Sequence, residues 1–460
     1  MSLDQVLSRI DDDLPKATER LLDLLRIPSI STGPDYKAEC DRAADWLVED
    51  LKPLGIDAAK RSTPGHPMVV GHADGPAPDS PHLLFYGHYD VQPVDPLELW
   101  DRDPFDPAVE ETEAGQVIRG RGAADDKGQL MTFLEAVRAW KEVHGTLPCR
   151  LTIFLEGEEE SGSPSLVPFM EENREELSAP DIALICDTGM FDSRVPAITT
   201  MLRGLLGEDF TITGPSRDLH SGMYGGIAMN PIRVLTKILA GLHDETGRIT
   251  LPGFYDGVPE LSDGILSQWQ GLGFDHARFL GDVGLSEPAG EQDRTPLEMI
   301  WSRPTCDVNG IWGGYTGAGF KTVLPSQASA KVSFRLVGTQ DPGTIRKAFR
   351  HYLESSLPPG FSVVYRTEKG SPASQMAIDD PAFEKARQAL SEEWPDPAAY
   401  IGCGGSIPIA GYFKEILGLD SMLIGFGKDD DQIHSPNEKF DMESFHKGTR
   451  SWARVLHALT

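Results

Sequence analysis

The amino-acid sequence predicts an α/β fold in which a mostly parallel sheet is interrupted by a smaller inserted α+β domain. Short continuous apolar runs support this prediction, because strands buried on both faces of a parallel sheet have this pattern. The runs are HLLFYG (82–87), LTIFL (151–155) and IALIC (182–186). Between the first two, residues 127–143 place apolar side chains at helical spacing. The order strand, helix, strand is typical of α/β domains.

The two ends of the chain add helices to this domain. Apolar residues recur at helical spacing over residues 1–26, where we expect a break near Pro15, and again over residues 38–51. Long helical patterns return after residue 374, together with an apolar run at 421–427 that predicts one more buried strand. The α/β domain is therefore expected to be discontinuous in sequence.

The middle of the chain has a different pattern. Residues 205–214 and 329–338 alternate between apolar and polar side chains, as half-exposed strands do, and residues 231–242 have the pattern of an amphipathic helix. This mixture predicts a smaller α+β domain inserted into the first domain. The expected boundaries are 1–198 for the first part of the α/β domain, 199–374 for the insertion and 375–460 for the second part.

Composition argues against several classes of function. The 460 residues include 42 Lys and Arg against 71 Asp and Glu, a formal net charge of −29, whereas a nucleic-acid-binding protein needs a basic face. The same acidity disfavours anionic membranes, and no run approaches the roughly 18 consecutive apolar residues of a membrane-spanning helix. Five scattered cysteines without a CxxC pair, and an N-terminus without a signal-peptide pattern, predict a cytoplasmic protein.

Potential metal ligands occur where the predicted buried strands end. They are His88 and Asp90 after the first run, Asp125 and Asp126 before the helix, Glu158, Glu159 and Glu160 after the second run, Asp187 after the third, and His434 after the run at 421–427. Each of these motifs alone is more often a turn, a helix cap or a solvated acidic face. Because the carboxyl ends of parallel strands meet at one edge of a sheet, however, we expect these side chains to converge.

The chemistry of these side chains suits a metal centre. Two imidazoles and three carboxylates around one centre fit one or two divalent ions such as Zn²⁺, Mn²⁺ or Co²⁺. Two ions about 3.5–4 Å apart can share a bridging hydroxide and polarise a carbonyl group. A general base must then lie beside the water without itself being a ligand. The adjacent Glu159 and Glu160 can divide these two roles.

Five short motifs follow one another along the chain in a fixed order. They are GHYDVQP (87–93), RGAADDKG (121–128), EGEEESGS (156–163), GGSIP (404–408) and HSPNE (434–438). Together they resemble the M20 family of metallopeptidases, most closely its cytosolic non-specific dipeptidase and carnosinase branch, from about residue 20 to the C-terminus. The resemblance implies a zinc-exopeptidase-like catalytic domain with an inserted lid and dimerisation domain.

The resemblance also implies a role for each candidate ligand. One metal ion is expected on His88, Asp125 and Asp187, and a second on Asp125, Glu160 and His434, so that Asp125 bridges the pair. Zn²⁺ is the first expectation for both ions, with Mn²⁺ or Co²⁺ as alternatives. Glu159 matches the general base, and Asp90 matches the acid that orients His88. The family commonly has a cis peptide after the bridging Asp, here between Asp125 and Asp126.

The inserted domain contains further matches to the family. His220, in RDLHSGMYGG (217–226), matches the histidine that reaches the active site of the other subunit and stabilises the oxyanion, which implies a homodimer. Thr322, Arg335 and Ser406 match substrate-binding residues, and an arginine suits a bidentate grip on a substrate carboxylate. Many relatives carry Arg-Glu where this chain has Gly402 and Cys403. That change affects the substrate pocket and leaves the metal ligands untouched.

The predicted function is that of a dinuclear metal-dependent hydrolase. It would cleave the amide bond of dipeptides or short peptides by attack of a metal-bound hydroxide, with no nucleic-acid or membrane partner. One alternative is an N-acyl-amino-acid deacylase that uses the same metal site, and a remote alternative is a non-catalytic, metal-stabilised binding protein. A serine hydrolase is disfavoured, because GGSIP (404–408) lacks the GxSxG pattern and no His and Asp partners stand out.

Overall fold

The structure, a computed structural model, describes residues 1–367, 370–405 and 407–460. It divides into two compact units. The first unit comprises Met1–Thr200, Met376–Ile401 and Tyr412–Thr460, and the second comprises Met201–Gln375 and Gly402–Gly411. Residues 402–411 therefore belong to the second unit, although the sequence assigned them to the C-terminal part of the α/β domain.

Four parallel strands form the centre of the large sheet. In spatial order they are Arg150–Glu156, His82–His88, Ile182–Ile185 and Ser421–Leu423. Further strands flank them, namely Asp57–Arg61 and Met68–Ala73 on one side, and Ala197–Leu202, Ser374–Gln375 and Ala399–Cys403 on the other. The neighbours Met68–Ala73 and Ala197–Leu202 run antiparallel to the central strands and so bound the parallel part. The predicted α/β fold with a parallel core is confirmed.

The helices of the first unit cover this sheet. They include Leu3–Leu25, Lys37–Leu51, Lys127–His144, Leu166–Glu172, Arg174–Leu177, Pro381–Ser391 and Met442–Ala458, and a small sheet joins Ala108–Thr112, Gly115–Arg119 and Lys439–Asp441. Phe85 of the sheet stacks on Phe133 with ring centroids 3.7 Å apart, and Trp452 packs edge-on against both rings. No helix within the described residues is both long and apolar enough to cross a membrane.

The expected break near Pro15 is wrong. One helix runs through it from Leu3 to Leu25. Its apolar face is buried on both sides of the proline, for example at Ile10 and Leu21. A proline in a helix removes one hydrogen bond and costs about 3 kcal/mol. Burial of this long apolar face outweighs that cost, since each large apolar side chain contributes roughly 1.5–3 kcal/mol.

The second unit contains a four-stranded antiparallel sheet. Its strands, in spatial order, are Thr305–Gly313, Gln327–Leu336, Gly204–Thr213 and Ser362–Thr367. Side chains on one face pack against helices, as Phe210 and Phe334 do against Phe349. The helices of this unit are Ser221–Tyr224, Pro231–Ala240, Asp263–Gly271, His276–Gly281, Pro296–Trp301 and Pro342–Ser356, with Pro408–Tyr412 at the end of its C-terminal segment. The alternating pattern of the sequence is thereby explained, because only one face of the sheet is covered.

Candidate functional site

Five side chains converge on one point of the first unit, and three of them, His88, Glu160 and Asp187, lie at or just beyond the ends of parallel strands. Nε2 of His88 lies 3.1 Å from Oδ1 of Asp125, and Nε2 of His434 lies 2.9 Å from Oδ2 of the same carboxylate. The same His434 nitrogen lies 3.3 Å from Oε2 of Glu160. Two groups of ligand atoms, each spanning no more than 4.8 Å, are formed by His88, Asp125 and Asp187 and by Asp125, Glu160 and His434. Asp125 belongs to both groups.

The burial and charge of these groups fit divalent metal ions. Within the described part of the chain, the buried Oε1 of Glu160 has no hydrogen-bond partner, which is costly for a carboxylate oxygen unless a cation satisfies it. Burial, with the nearby charge of Asp125, raises the pKa of Asp187 well above its usual range. A bound cation would stabilise the ionised form of this carboxylate. Imidazole and carboxylate donors together are the ligands that Zn²⁺, Mn²⁺ and Co²⁺ accept.

The two histidines of the site hold their protons more tightly than a free imidazole does. Hydrogen bonds to Asp125 and Glu160 raise the pKa of His434 to about 10. Burial would lower the pKa of His88, but its contacts with Asp125 and Asp90 outweigh burial and raise it well above the usual value. Burial would likewise raise the pKa of Asp125, yet the two histidines hold it well below the usual range. Metal binding must therefore displace protons from both imidazoles.

Glu159 is placed to exchange a proton at this point. It begins a short 3₁₀ helix, Glu159–Ser161, that follows the strand Arg150–Glu156, and it belongs to neither group of candidate ligands. Burial raises its pKa to about 8, with Asp187 and Asp90 adding to the effect and His88 opposing it. A carboxyl group with a pKa near neutrality can both accept and return a proton.

Asp90 holds the loop that carries Glu159 and Glu160. Its buried carboxylate accepts the backbone N–H of Glu159 at 3.2 Å and that of Glu160 at 3.0 Å. Nδ1 of His88 lies 3.1 Å from the Asp90 carbonyl oxygen and 3.4 Å from its Oδ1. The expected contact with His88 is thus accompanied by two backbone contacts, which sequence reasoning missed.

Two further residues that contact candidate ligands were missed. Nε2 of Gln92 donates to Oε2 of Glu160 at 2.7 Å, and the buried Glu438 accepts the backbone N–H of Asp125 at 3.1 Å. Both lie inside motifs singled out from the sequence, GHYDVQP and HSPNE, so their position in a motif was the available signal. The peptide bond between Asp125 and Asp126 is cis, as the resemblance implied.

The predicted substrate-binding residues lie in the second unit. The short strand Leu219–His220 pairs with Val323–Leu324, and the N–H of Ser221 donates to the carbonyl of Thr322 at 3.1 Å, so His220 and Thr322 are brought together, both exposed. Arg335 lies half-buried on the strand Gln327–Leu336. Ser406 lies outside the described residues.

Local packing explains why this chain has Gly402 and Cys403 at the place where the resemblance led us to expect Arg-Glu. A Cβ atom built on Gly402 would lie 2.4 Å from Cβ of Trp301, closer than such atoms approach in real proteins. An arginine therefore does not fit at position 402 without moving Trp301. At position 403, Sγ accepts the backbone N–H of Gly405 at 3.3 Å, so the cysteine takes part in the turn instead of presenting a charge.

Known proteins resemble this chain over its full length. Residues 84–458 match the sequence profile described as Peptidase family M20/M25/M40. The chain is 30% identical to the Cys-Gly metallodipeptidase dug1 of Schizosaccharomyces pombe, over 100% of this chain and 98% of that protein. Human carnosine dipeptidase 1 superposes with a TM-score of 0.79 at 28% identity, covering 100% of this chain and 99% of its own. The M20 family metallo-carboxypeptidase Sso-CP2 from Sulfolobus solfataricus gives 0.79 at 29% identity, covering 96% and 99%.

Proposed function

Because the chain belongs to peptidase family M20/M25/M40, we propose that it is a dinuclear metal-dependent dipeptidase. The observation that carries this proposal is the position of Asp125, which belongs to two ligand groups at once while Glu159 remains outside both. His88, Asp125 and Asp187 would hold one ion, and Asp125, Glu160 and His434 would hold the other. Zn²⁺ suits these donors first, and Mn²⁺ or Co²⁺ are the alternatives.

The residues of the chain divide the work of amide hydrolysis. When bound, the ions acidify a water molecule and polarise the scissile carbonyl group. Glu159 takes the proton of the attacking water at its carboxylate and returns it to the nitrogen of the leaving amine. Asp90 holds the backbone of Glu159 in place during both transfers.

Dipeptides are the proposed substrates. The names of the yeast and human relatives, both dipeptidases, favour this class over N-acyl amino acids. Thr322 and Ser406 contribute to substrate binding in this proposal, and Arg335 binds the substrate carboxylate in a bidentate manner. The metallo-carboxypeptidase relative supports a second candidate, the removal of C-terminal residues from longer peptides.

Hydrolysis assays with three matched substrates test the proposal. We would measure kcat/KM for an unblocked dipeptide, its N-acetylated counterpart and a tripeptide with the same C-terminal residue, each with and without a chelator. We expect the unblocked dipeptide to be preferred, its turnover to stop on chelation and Zn²⁺ or Mn²⁺ to restore it. Preference for the acetylated compound would make the protein a deacylase, and preference for the tripeptide would make it a carboxypeptidase.

We further propose a homodimer in which His220 acts in the active site of the partner subunit. The second unit carries exposed apolar side chains on the segment around His220, among them Met223 and Ile227, and on the edge strand Thr305–Gly313, among them Ile311 and Trp312. Exposed apolar patches of this kind, next to an edge strand with unpaired backbone groups, are typical of protein interfaces. In one symmetric contact, a second copy of the chain would bury the apolar side chains of both surfaces.

Mixed dimers test the role of His220. Neither His220→Ala nor Glu159→Gln is expected to be active alone. If His220 acts across the interface, a mixed dimer has one intact site, and random mixing restores about a quarter of the wild-type activity. If His220 acts within its own subunit, no mixed dimer has an intact site, and activity stays at background.

A cytoplasmic location is consistent with the thiols. All five cysteines are free, and Cys403 is the one that is not fully buried. Free thiols persist in reducing compartments. Fractionation of the native cells, with a cytoplasmic marker enzyme as the reference, tests this part of the proposal.

A further inference from the structure

Glu438 closes the loop that carries the shared candidate ligand Asp125. Its side chain is fully buried. Oε2 accepts Nη1 of Arg121 at 2.6 Å and the backbone N–H of Gly122 at 3.1 Å. Oε1 accepts the backbone N–H groups of Ala124 at 2.9 Å and Asp125 at 3.1 Å. One carboxylate thus satisfies three backbone donors and one guanidinium in the loop from 121 to 125.

This loop depends on an acceptor from elsewhere in the chain. Asp126, at the N-cap position of the helix Lys127–His144, forms no side-chain capping hydrogen bond within the described residues. Gly122 has a φ of +83°, and a Cβ atom there would lie 2.6 Å from Cγ1 of Val91, so the loop is tightly confined. Buried backbone N–H groups without an acceptor are strongly disfavoured. Glu438 therefore determines the path of the backbone immediately before the helix.

The other end of the same contact is the loop that carries His434. His434 and Asn437 both have positive φ values, 60° and 64°, which are uncommon for residues other than glycine. The side chain of His434 is 53% exposed, so little packing restrains it. Asn437 fixes part of the loop by accepting the N–H of Asp101 at 2.8 Å. Glu438 follows directly and joins this loop to the loop of Asp125.

We propose that Glu438 is a positioning residue that fixes Asp125 relative to His434 and thereby determines how tightly the second ion is held. The inference rests on the metal centre of the proposed function. His88 ends a buried strand, and Asp187 lies two residues beyond another. The group of His88, Asp125 and Asp187 therefore has two ligands anchored by the sheet. Asp125 and His434 lie on loops and Glu160 lies in a short 3₁₀ helix, so no ligand of this group is held by a strand, and the group depends more on Glu438.

The test compares two buried glutamates that are each paired with an arginine. Glu438→Gln keeps the shape of the side chain but replaces one acceptor oxygen with a donor. Glu135→Gln is the matched control, because Glu135 is buried in the same unit and accepts Nε and Nη2 of Arg20 at 2.7 and 2.6 Å, but contacts none of the candidate ligands within the described residues. We would measure the stoichiometry and the two dissociation constants for Zn²⁺ by chelator competition. The melting temperature of each metal-free variant would be measured alongside.

We expect Glu438→Gln to lower the affinity for the second Zn²⁺ ion by about 10- to 100-fold, as is usual for residues that orient a ligand. The affinity for the first ion should change less. The Glu135→Gln variant should bind both ions as the wild type does. Equal loss of affinity in both variants, or none in Glu438→Gln, would overturn the inference.

A second variant covers the case in which Glu438→Gln fails to fold. Arg121→Lys leaves Glu438 in place but weakens its anchor, and we expect a smaller loss confined to the same ion. Wild-type Zn²⁺ binding in a folded Arg121→Lys variant would then count against the inference. A wild-type protein that binds two ions but hydrolyses no dipeptide refutes the proposed function and leaves this inference standing, whereas one that binds a single ion refutes the inference.

Discussion

Oδ2 of Asp90 accepts the backbone N–H of Glu160 at 3.0 Å. Asp90 lies just beyond the strand His82–His88, and Glu160 lies just beyond the neighbouring parallel strand Arg150–Glu156. A side chain at the end of one strand therefore holds the loop after the next. This contact ties a candidate ligand and the adjacent proposed general base, Glu159, to the strands of the sheet through protein groups alone.

Replacement of Glu159, the proposed general base, should separate chemistry from metal binding. For Glu159→Gln we expect kcat to fall by about 10²- to 10⁴-fold, because the proton acceptor is lost. Both ions should remain bound, since Glu159 belongs to neither ligand group. Steady-state kinetics and metal analysis on the same preparation check both parts. The exposed Glu171→Gln serves as the control, and near-normal turnover in Glu159→Gln would refute the assignment.

Asp90→Asn should weaken both metal binding and catalysis. The amide group of asparagine brings a donor toward the N–H groups of Glu159 and Glu160, so the loop is expected to shift. We expect a loss of about 10- to 100-fold in metal affinity, together with a lower kcat. Chelator competition and kinetics measure the two effects, with the exposed Asp79→Asn as a reference. Unchanged values of both would show that Asp90 does not position the loop.

The metal-free protein should lose stability as the pH rises from about 5 to 9. The pKa of Glu159 is raised from 4.5 to about 8, so its contribution to stability is complete below pH 4.5 and is lost as the pH rises through 8. The raised pKa of Asp187 acts in the same direction, as does that of His434, which is raised from 6.5 to about 10.

Bound metal ions would take the place of these protons, so the loss of stability with rising pH should be smaller in the metal-loaded protein. We expect the melting temperature of the chelated protein to fall by about 5 °C or more over this range, and that of the Zn²⁺-loaded protein to fall less. Thermal unfolding followed by fluorescence at several pH values measures the difference. A gap between the two forms that does not widen with pH would contradict the prediction.

Gly402→Ala should destabilise the protein through a single close contact. The added Cβ would meet Cβ of Trp301 at 2.4 Å, whereas at Gly405 the nearest atom to an added Cβ is Sγ of Cys403 at 3.5 Å. We expect Gly402→Ala to cost about 1–3 kcal/mol of unfolding free energy, as overpacking does, and Gly405→Ala to cost much less. Denaturant unfolding of the two variants decides the matter, and equal stabilities would exclude the contact as the reason for glycine at position 402.

Arg335→Gln should raise KM selectively for substrates with a free carboxylate. Loss of a charge-assisted hydrogen-bond pair corresponds to roughly a 10- to 100-fold increase in KM. The same dipeptide with an amidated C-terminus should be affected little. Arg366→Gln, on another strand of the same sheet and with a largely exposed side chain, provides the matched control. A parallel loss for both substrates would remove Arg335 from carboxylate binding.

Several elements were predictable because their patterns are local. The continuous apolar runs became fully buried strands, as in His82–His88, and the alternating segments became the one-sided sheet of the second unit. The expectation at Pro15 failed because it weighed only the local cost of proline. The helix Leu3–Leu25 is buried on both sides of the proline by tertiary packing, and the residues next to Pro15 do not show how large that contribution is.

The donor types of the candidate centre, and the position of several donors just beyond strands, could be inferred from residue types and from periodicity along the chain. The groups that hold those donors could be identified only from the folded structure. The contacts of Asp90 with Glu160 and of Glu438 with Asp125 join segments that are distant in sequence. They arise because the spatial order of the strands differs from their order along the chain. A hydrogen bond from a backbone N–H to a side chain also requires no particular residue at the donor, so the sequence does not show which N–H group is bound.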